Sequence, residues 1–189
     1  MTPIICVRLD WDRTAVRLPA GLPGRWHTLH YGPEPGHPHG RRGLALGSAW
    51  KRLTTAPAHD AAGLLMMDGD VVIDPLDYRE MQESIASRPE WVWVAPIRLW
   101  PASTGLDDWV WGHWAGGPQN RSQQLTYDGI TWWGLGLTYI PRKLIARCLR
   151  DGLRNWEYPN VDSCINQRAQ AMGTDVGIVP TCEPKHLNY

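Results

Sequence analysis

Apolar and polar positions along this chain follow two periods. Residues 4–9, "IICVRL", form a short apolar run that predicts a buried first strand leaving into Asp10 and Asp12. "RWHTLHYG" (25–32) predicts a second short strand, and the Pro/Gly stretch "GPEPGHPHGRRG" (32–43) a loop. "LALGSAWKRLTTA" (44–56) has helical spacing. "GLLMMDGDVVI" (63–73) predicts strand, turn and strand. Pro75 then opens a helix whose buried face is Tyr78, Met81 and Ile85. "EWVWVAPIRLW" (90–100) predicts one further strand, and Trp109 and Trp111 alternate on a short one. "ITWWGLGLTYI" (130–140) is strand-like, with Gly134 and Gly136 marking close backbone approach. Pro141 starts a helix with Leu144, Ile145, Cys148 and Leu149 on one face and Gly152 as its stop. Asp162 begins another, with Ile165, Ala169 and Met172 inward and Gly173 at its end, and "DVGIVPT" (175–181) predicts a last strand.

Strands alternating with helices predict an α/β sandwich on a central mixed, mostly parallel sheet. The 189 residues fit a single domain, 1–189. Lys plus Arg equals Asp plus Glu at 19 each, which argues against binding nucleic acid by bulk charge and leaves a local basic patch open. No run approaches membrane-spanning length, and the start "MTPIICVRLDWD" does not resemble a signal peptide, so a cytoplasmic protein is expected. Cys6, Cys148, Cys164 and Cys182 are scattered and read as small core residues in a reducing compartment.

The chemistry concentrates where the apolar run Leu64–Met67 ends in Asp68-Gly69-Asp70. Ligand sites in open α/β sheets gather at the carboxyl ends of strands. Two carboxylates on one tight turn repel, and a hard divalent ion such as Mg²⁺ or Mn²⁺ would neutralise them while keeping positions for phosphate oxygens. Gly69 permits the turn and a close ligand. A calcium loop of the EF-hand type fails, because Val72 and Ile73 stand where a ligand and the turn glycine belong, and Arg79 where the bidentate Glu belongs. A haloacid-dehalogenase-like phosphatase fits "LLMMDGDVV" locally, with Asp68 as nucleophile. That motif normally lies on the first strand, however, and no downstream Lys or acidic pair follows convincingly. A third reading is the D-x-D of a GT-A glycosyltransferase, carried on a middle strand. Asp at strand ends is also common without any metal role.

Over most of its length the chain resembles the family-2-like GT-A nucleotide-sugar glycosyltransferases. "IICVRLDWD" matches the strand that feeds the nucleotide pocket, "RRGLALGSAWKRL" the glycine-containing helix before the D-x-D, and "DGDVVIDPLDY" the D-x-D with its Pro-initiated helix. "WWGLGLTYIPRKLI" is similar to the Gly-containing segment with Arg142 at a helix start. "YPNVDSCINQRAQAMG" is similar to the acidic motif that opens a helix with Asp162, Arg168 and Gly173 in order, and His186 to a His after the next strand. The usual acidic pair is reduced to Asp162, beside Val161, and the chain is short for the class.

The resemblance implies a single GT-A-like (Rossmann-like) domain, with residues 1–100 as the nucleotide-sugar half and 101–189 as the acceptor half. It implies a metal-dependent, inverting transfer of a sugar from a nucleoside-diphosphate sugar, UDP-sugar favoured, with Mn²⁺ or Mg²⁺ as cofactor. Asp70, with His186, would hold the ion, and Asp68 the metal shell or the ribose. Asp10, Arg8, Gly69 and Arg42 would lie on the donor, and Asp162 would be the general base. Trp132, Trp133 and Gly134 would meet sugar or acceptor; two successive strand residues point to opposite faces, so one Trp should reach a cleft. Asp162 could instead serve as an N-cap and His186 as a solvated residue. The loop pair His37 and His39 reads as a weak metal candidate, and Arg41 and Arg42 as solvated or phosphate-binding. The acceptor is left open between a glycan, a protein and a modified DNA base. Small enzymes of this shape also occur in bacteriophages, in which case the setting is the host cytoplasm. "WVWGHWAGG" (109–117) could stack an extruded base. A non-catalytic carbohydrate-binding protein using its Trp as platforms is the remaining alternative.

Overall fold

In the computed structural model the first apolar run forms β1 (Ile4–Trp11), parallel both to β2 (Trp26–Tyr31) and to β3 (Gly63–Asp68). The structure describes residues 4–11, 22, 26–31, 60–99, 108–116, 120–152, 161–182 and 184–187. The predicted loop over 32–43 and helix over 44–56 lie outside them, and so do Asp12, His37, His39, Arg41 and Arg42.

The chain continues through β4 (Val71–Val72), α1 (Pro75–Ser87), β5 (Val92–Val94), β6 (Arg98–Leu99), β7 (Val110–Trp111), β8 (His113–Ala115) and β9 (Ile130–Trp133). It closes with β10 (Leu137–Pro141), α2 (Arg142–Arg150), α3 (Val161–Ala171), β11 (Val176–Ile178) and β12 (Lys185–His186). Among the described residues the central sheet has six strands in the order β11-β5-β10-β3-β1-β2, and β10 alone of these runs antiparallel to its neighbours. The remaining strands pair in three two-stranded ribbons, β12-β4, β6-β7 and β8-β9. The expected mixed, mostly parallel α/β sheet is thus the observed architecture.

β3 lies inside this sheet with both faces covered, so its Leu64, Leu65, Met66 and Met67 are an unbroken apolar run, at most 1% exposed. Two cores result. On one face Cys6, Leu65, Met67 and Tyr139 pack against Tyr78, Met81 and Ile85 of α1. On the other, Val7, Leu9, Leu64 and Met66 pack against Leu144, Ile145 and Cys148 of α2, and Ile165 and Ala169 of α3. All four cysteines are free, and Cys6, Cys148 and Cys182 are buried.

The helix boundaries follow local chemistry. Asp74 accepts from the amides of Leu76 and Asp77, Asp77 accepts from the amide of Asp74, and Pro75 occupies the first turn, a complete capping box for α1. α3 ends in Gly173 at φ 61°, with the Gly173 amide bonded to Gln170 and the Thr174 amide to Ala169, the Schellman arrangement.

Three expectations change. Residues 90–100 are not one strand, because Pro96 has no amide for the ladder. The chain leaves the sheet after Val94, and the Ile97 carbonyl is taken by the Gly112 amide. Residues 130–140 are likewise two strands, parted at Gly134–Gly136, where a Cβ on Gly136 would overlap Cδ1 of Ile97. Met172 lies beyond the last turn of α3 and is exposed, so it is not an inward residue.

Candidate functional site

β1, β3 and β5 run in one direction, so their carboxyl ends share one end of the sheet. The start of β10 and the loop 134–136 lie at that end too, because β10 is antiparallel. The Asp68-Gly69-Asp70 turn stands there at the end of β3, and Leu9 pairs with Asp68, which puts Asp10 one residue beyond that pair.

The turn is fastened through its backbone on several sides. The Asp68 amide donates to Gly136 (2.8 Å), the Gly69 amide to Leu9 (2.7 Å), and the Leu187 amide to the Asp70 carbonyl (2.9 Å). The Arg8 guanidinium donates to the Gly69 carbonyl at 2.8 Å. Arg8 is only 4% exposed, so a buried positive charge is built against the backbone of the turn, at the residue between the two acids. Expected as a donor contact, Arg8 is found bracing the turn that carries the acids. β12 pairs antiparallel with β4, which sets the backbone of His186 opposite Val71, next to Asp70.

Alternation along the strands assigns the acids to faces. Arg8 follows Cys6 on the α1 side, whereas Asp68 follows Leu64 and Met66 on the side of α2 and α3. Asp162 lies in the first turn of α3, on that second side. It falls within the helix, after Val161, so it acts as a first-turn carboxylate and not as the residue ahead of the helix that caps it. Sequence reasoning overlooked Asn166. It is 2% exposed, accepts from the Trp133 amide (2.8 Å), and donates to the carbonyls of Trp133 (3.0 Å) and Asp162 (2.7 Å). One buried amide therefore joins the first turn of α3 to β9, and the loop that follows β9 accepts the Asp68 amide. The signal was available: Asp162, Ile165, Asn166 and Ala169 share one helical face, and a polar residue among apolar ones on that face needs partners.

The Trp pair separates as strand alternation requires. Trp133 is fully buried in the core and cannot meet a sugar, which leaves Trp132, half-buried, as the member able to face a ligand. Gly134 makes no close approach: a Cβ at this position would find its nearest neighbour 3.7 Å away, and the Gly134 amide donates to Gly112. His113, also unforeseen, is 3% exposed, and burial pushes its pKa down to about 4, opposed by the Thr126 backbone. Burial likewise pushes the Cys6 thiol up to about 11 and Cys148 up to about 12, so both stay protonated and are poor nucleophiles.

Among the described residues no cluster of three or more His, Cys, Asp or Glu side chains is close enough to hold a metal ion. Asp68 and Asp70 offer hard oxygen donors, which suit a divalent ion whose remaining positions go to phosphate and water. A cavity of about 380 Å³ bordered by Asp60, Ala61, Glu90, Arg142 and Lys143 lies at the amino ends of the parallel strands, away from these acids. No described helix is long and apolar enough to cross a membrane.

No family model matches the chain, and no curated protein matches it. Among solved structures it is similar to the crystal structure of A197 from STIV, with a TM-score of 0.58 and 14% identity over 98% of this chain and 86% of that one. At that identity the likeness is one of fold: a Rossmann-like α/β sandwich.

Proposed function

We propose that the chain is a metal-dependent, inverting glycosyltransferase that moves a sugar from a nucleoside-diphosphate sugar to an acceptor hydroxyl. The observation that carries the reading is the acidic turn. Asp68 and Asp70 stand at the carboxyl end of an interior strand, held by backbone bonds from β1, the 134–136 loop and the β12 segment. Such rigid presentation of two carboxylates suits recognition of a fixed ligand geometry.

In this reading Asp68 and Asp70 hold Mn²⁺ or Mg²⁺, with His186 and Asp10 on adjoining backbone. The bound ion would offset the negative charge that develops on the departing nucleoside diphosphate. Arg8 fixes the carbonyl of Gly69 and with it the backbone between the two acids. Asp162, steadied through Asn166, takes the proton of the acceptor hydroxyl. The acceptor oxygen bonds to the anomeric carbon as the bond to the diphosphate oxygen breaks, and the configuration inverts. Trp132 flanks the acceptor. Four free thiols support a reducing, cytoplasmic setting.

The test screens UDP-, GDP- and TDP-sugars with Mn²⁺ for released nucleoside diphosphate, alongside thermal shifts with Mn²⁺ and UDP. Asp162→Asn should lose about 10²–10⁴-fold in turnover and keep the thermal shift. An unchanged rate in that variant, or no shift with any nucleoside diphosphate, would refute the reading. A beryllium-fluoride adduct on Asp68 would favour the phosphatase instead.

A further inference from the structure

Beyond the carboxyl end of β5 the chain enters the β6-β7 ribbon, where Arg98 pairs directly opposite Trp111. The Arg98 guanidinium carbon sits 4.7 Å from the centroid of Trp109 and 5.6 Å from that of Trp111. The two indoles meet edge to face at 5.2 Å. Trp111 is pinned, its backbone amide donating to Ser122 (3.0 Å) and its indole nitrogen to Gln123 (2.8 Å). Arg98 is exposed, and among the described residues it has no carboxylate partner. A guanidinium held over indole rings spends no N–H donor on the contact and keeps its donors for an oxyanion, and the two rings hold it in place beforehand. The ribbon also flanks the acidic turn, because β6 packs beside β12 and β12 pairs with β4 directly after Asp70.

We infer that Arg98, Trp109 and Trp111 form an acceptor subsite for a sugar bearing a single oxyanion, a carboxylate or a phosphate. The inference rests on the glycosyltransferase reading for the word acceptor, and on the ribbon alone for the binding. The indoles offer apolar faces and edges to a sugar's C–H groups, and Arg98 takes the oxyanion in two parallel hydrogen bonds. A nucleic-acid strand fits less well. It needs a row of cations, whereas the exposed carboxylate of Asp108 borders Trp109 and the formal net charge of the chain is zero.

Binding of glucuronate, glucose 6-phosphate and glucose is measured by calorimetry without donor or metal. A preference of about tenfold or more for an anionic sugar over glucose is expected, the size of one charge-assisted hydrogen bond. Which anion wins separates the carboxylate from the phosphate. Arg98→Ala should erase the preference, Arg98→Lys should keep part of it, and both should retain the thermal shift with Mn²⁺ and UDP. No preference, a preference that survives Arg98→Ala, or tighter binding of a single-stranded oligonucleotide overturns the subsite. The donor screen fails or succeeds independently of this result.

Discussion

Arg8 on β1 donates to the carbonyl of Gly69, the residue between the two acids at the end of β3. A buried guanidinium thus bridges neighbouring strands at the point where the chain turns away from the sheet. Arg8→Met keeps much of the volume and removes the donor. The expected loss is about 2–3 kcal/mol in urea unfolding, because a buried carbonyl loses a charged partner. The thermal shift with Mn²⁺ and UDP should shrink with it. A variant as stable as the parent would show that the turn is held without Arg8.

Asn166→Ala removes three hydrogen bonds, two that join α3 to the Trp133 backbone on β9 and one within α3 to the Asp162 carbonyl. At about 1 kcal/mol for each, the variant should lose about 3 kcal/mol. Asn166→Asp keeps the acceptor for the Trp133 amide and loses both donations, so it should not rescue. Equilibrium denaturation of the two variants checks the order.

His113 makes stability depend on pH. Its folded pKa is depressed to about 4 from an ordinary value near 6.5, so between those values the unfolded chain binds a proton that the folded one refuses. Its contribution is complete above about pH 6.5 and is lost as pH falls through 4, about 3 kcal/mol in all. His113→Phe should flatten that part of the pH–stability curve. An acid limb unchanged in this variant would assign the loss to other groups.

Two glycines should behave oppositely. A Cβ on Gly63 would overlap the backbone carbonyl of Ile140, which cannot move without breaking the β3-β10 pairing. Gly63→Ala should therefore fold poorly or lose several kcal/mol, on the order of the largest single-residue effects. Gly134→Ala meets nothing nearer than 3.7 Å and should fold normally. Melting temperatures of the pair decide the matter.

The pattern of residues made the sheet and helix faces readable because burial imposes a period. Tyr78, Met81 and Ile85 line α1 inward, and Leu144, Ile145 and Cys148 line α2, as their spacing requires. The breaks at 95–97 and 134–136 were harder, because apolar residues continue through both; a backbone crossing, with Ile97 against Gly136, decides them. The acidic turn was visible as a local motif, and its end-of-strand position follows from the run before it. The contacts of Arg8 with Gly69 and of Asn166 with Trp133 join residues distant in the chain, and nothing local in the sequence states such pairings. The split of Trp132 from Trp133 lay between these cases: alternation foretold that they would part, and only tertiary packing chose which one went inside.

β10 also governs how the molecule can be made. The facing edges of β3 and β5 are closed by a strand synthesised long after both. Until Leu137 and its successors leave the ribosome, two apolar strands keep open sides. A chain halted before that point would offer them to other copies of itself, so truncation there should yield aggregates and not a smaller folded unit.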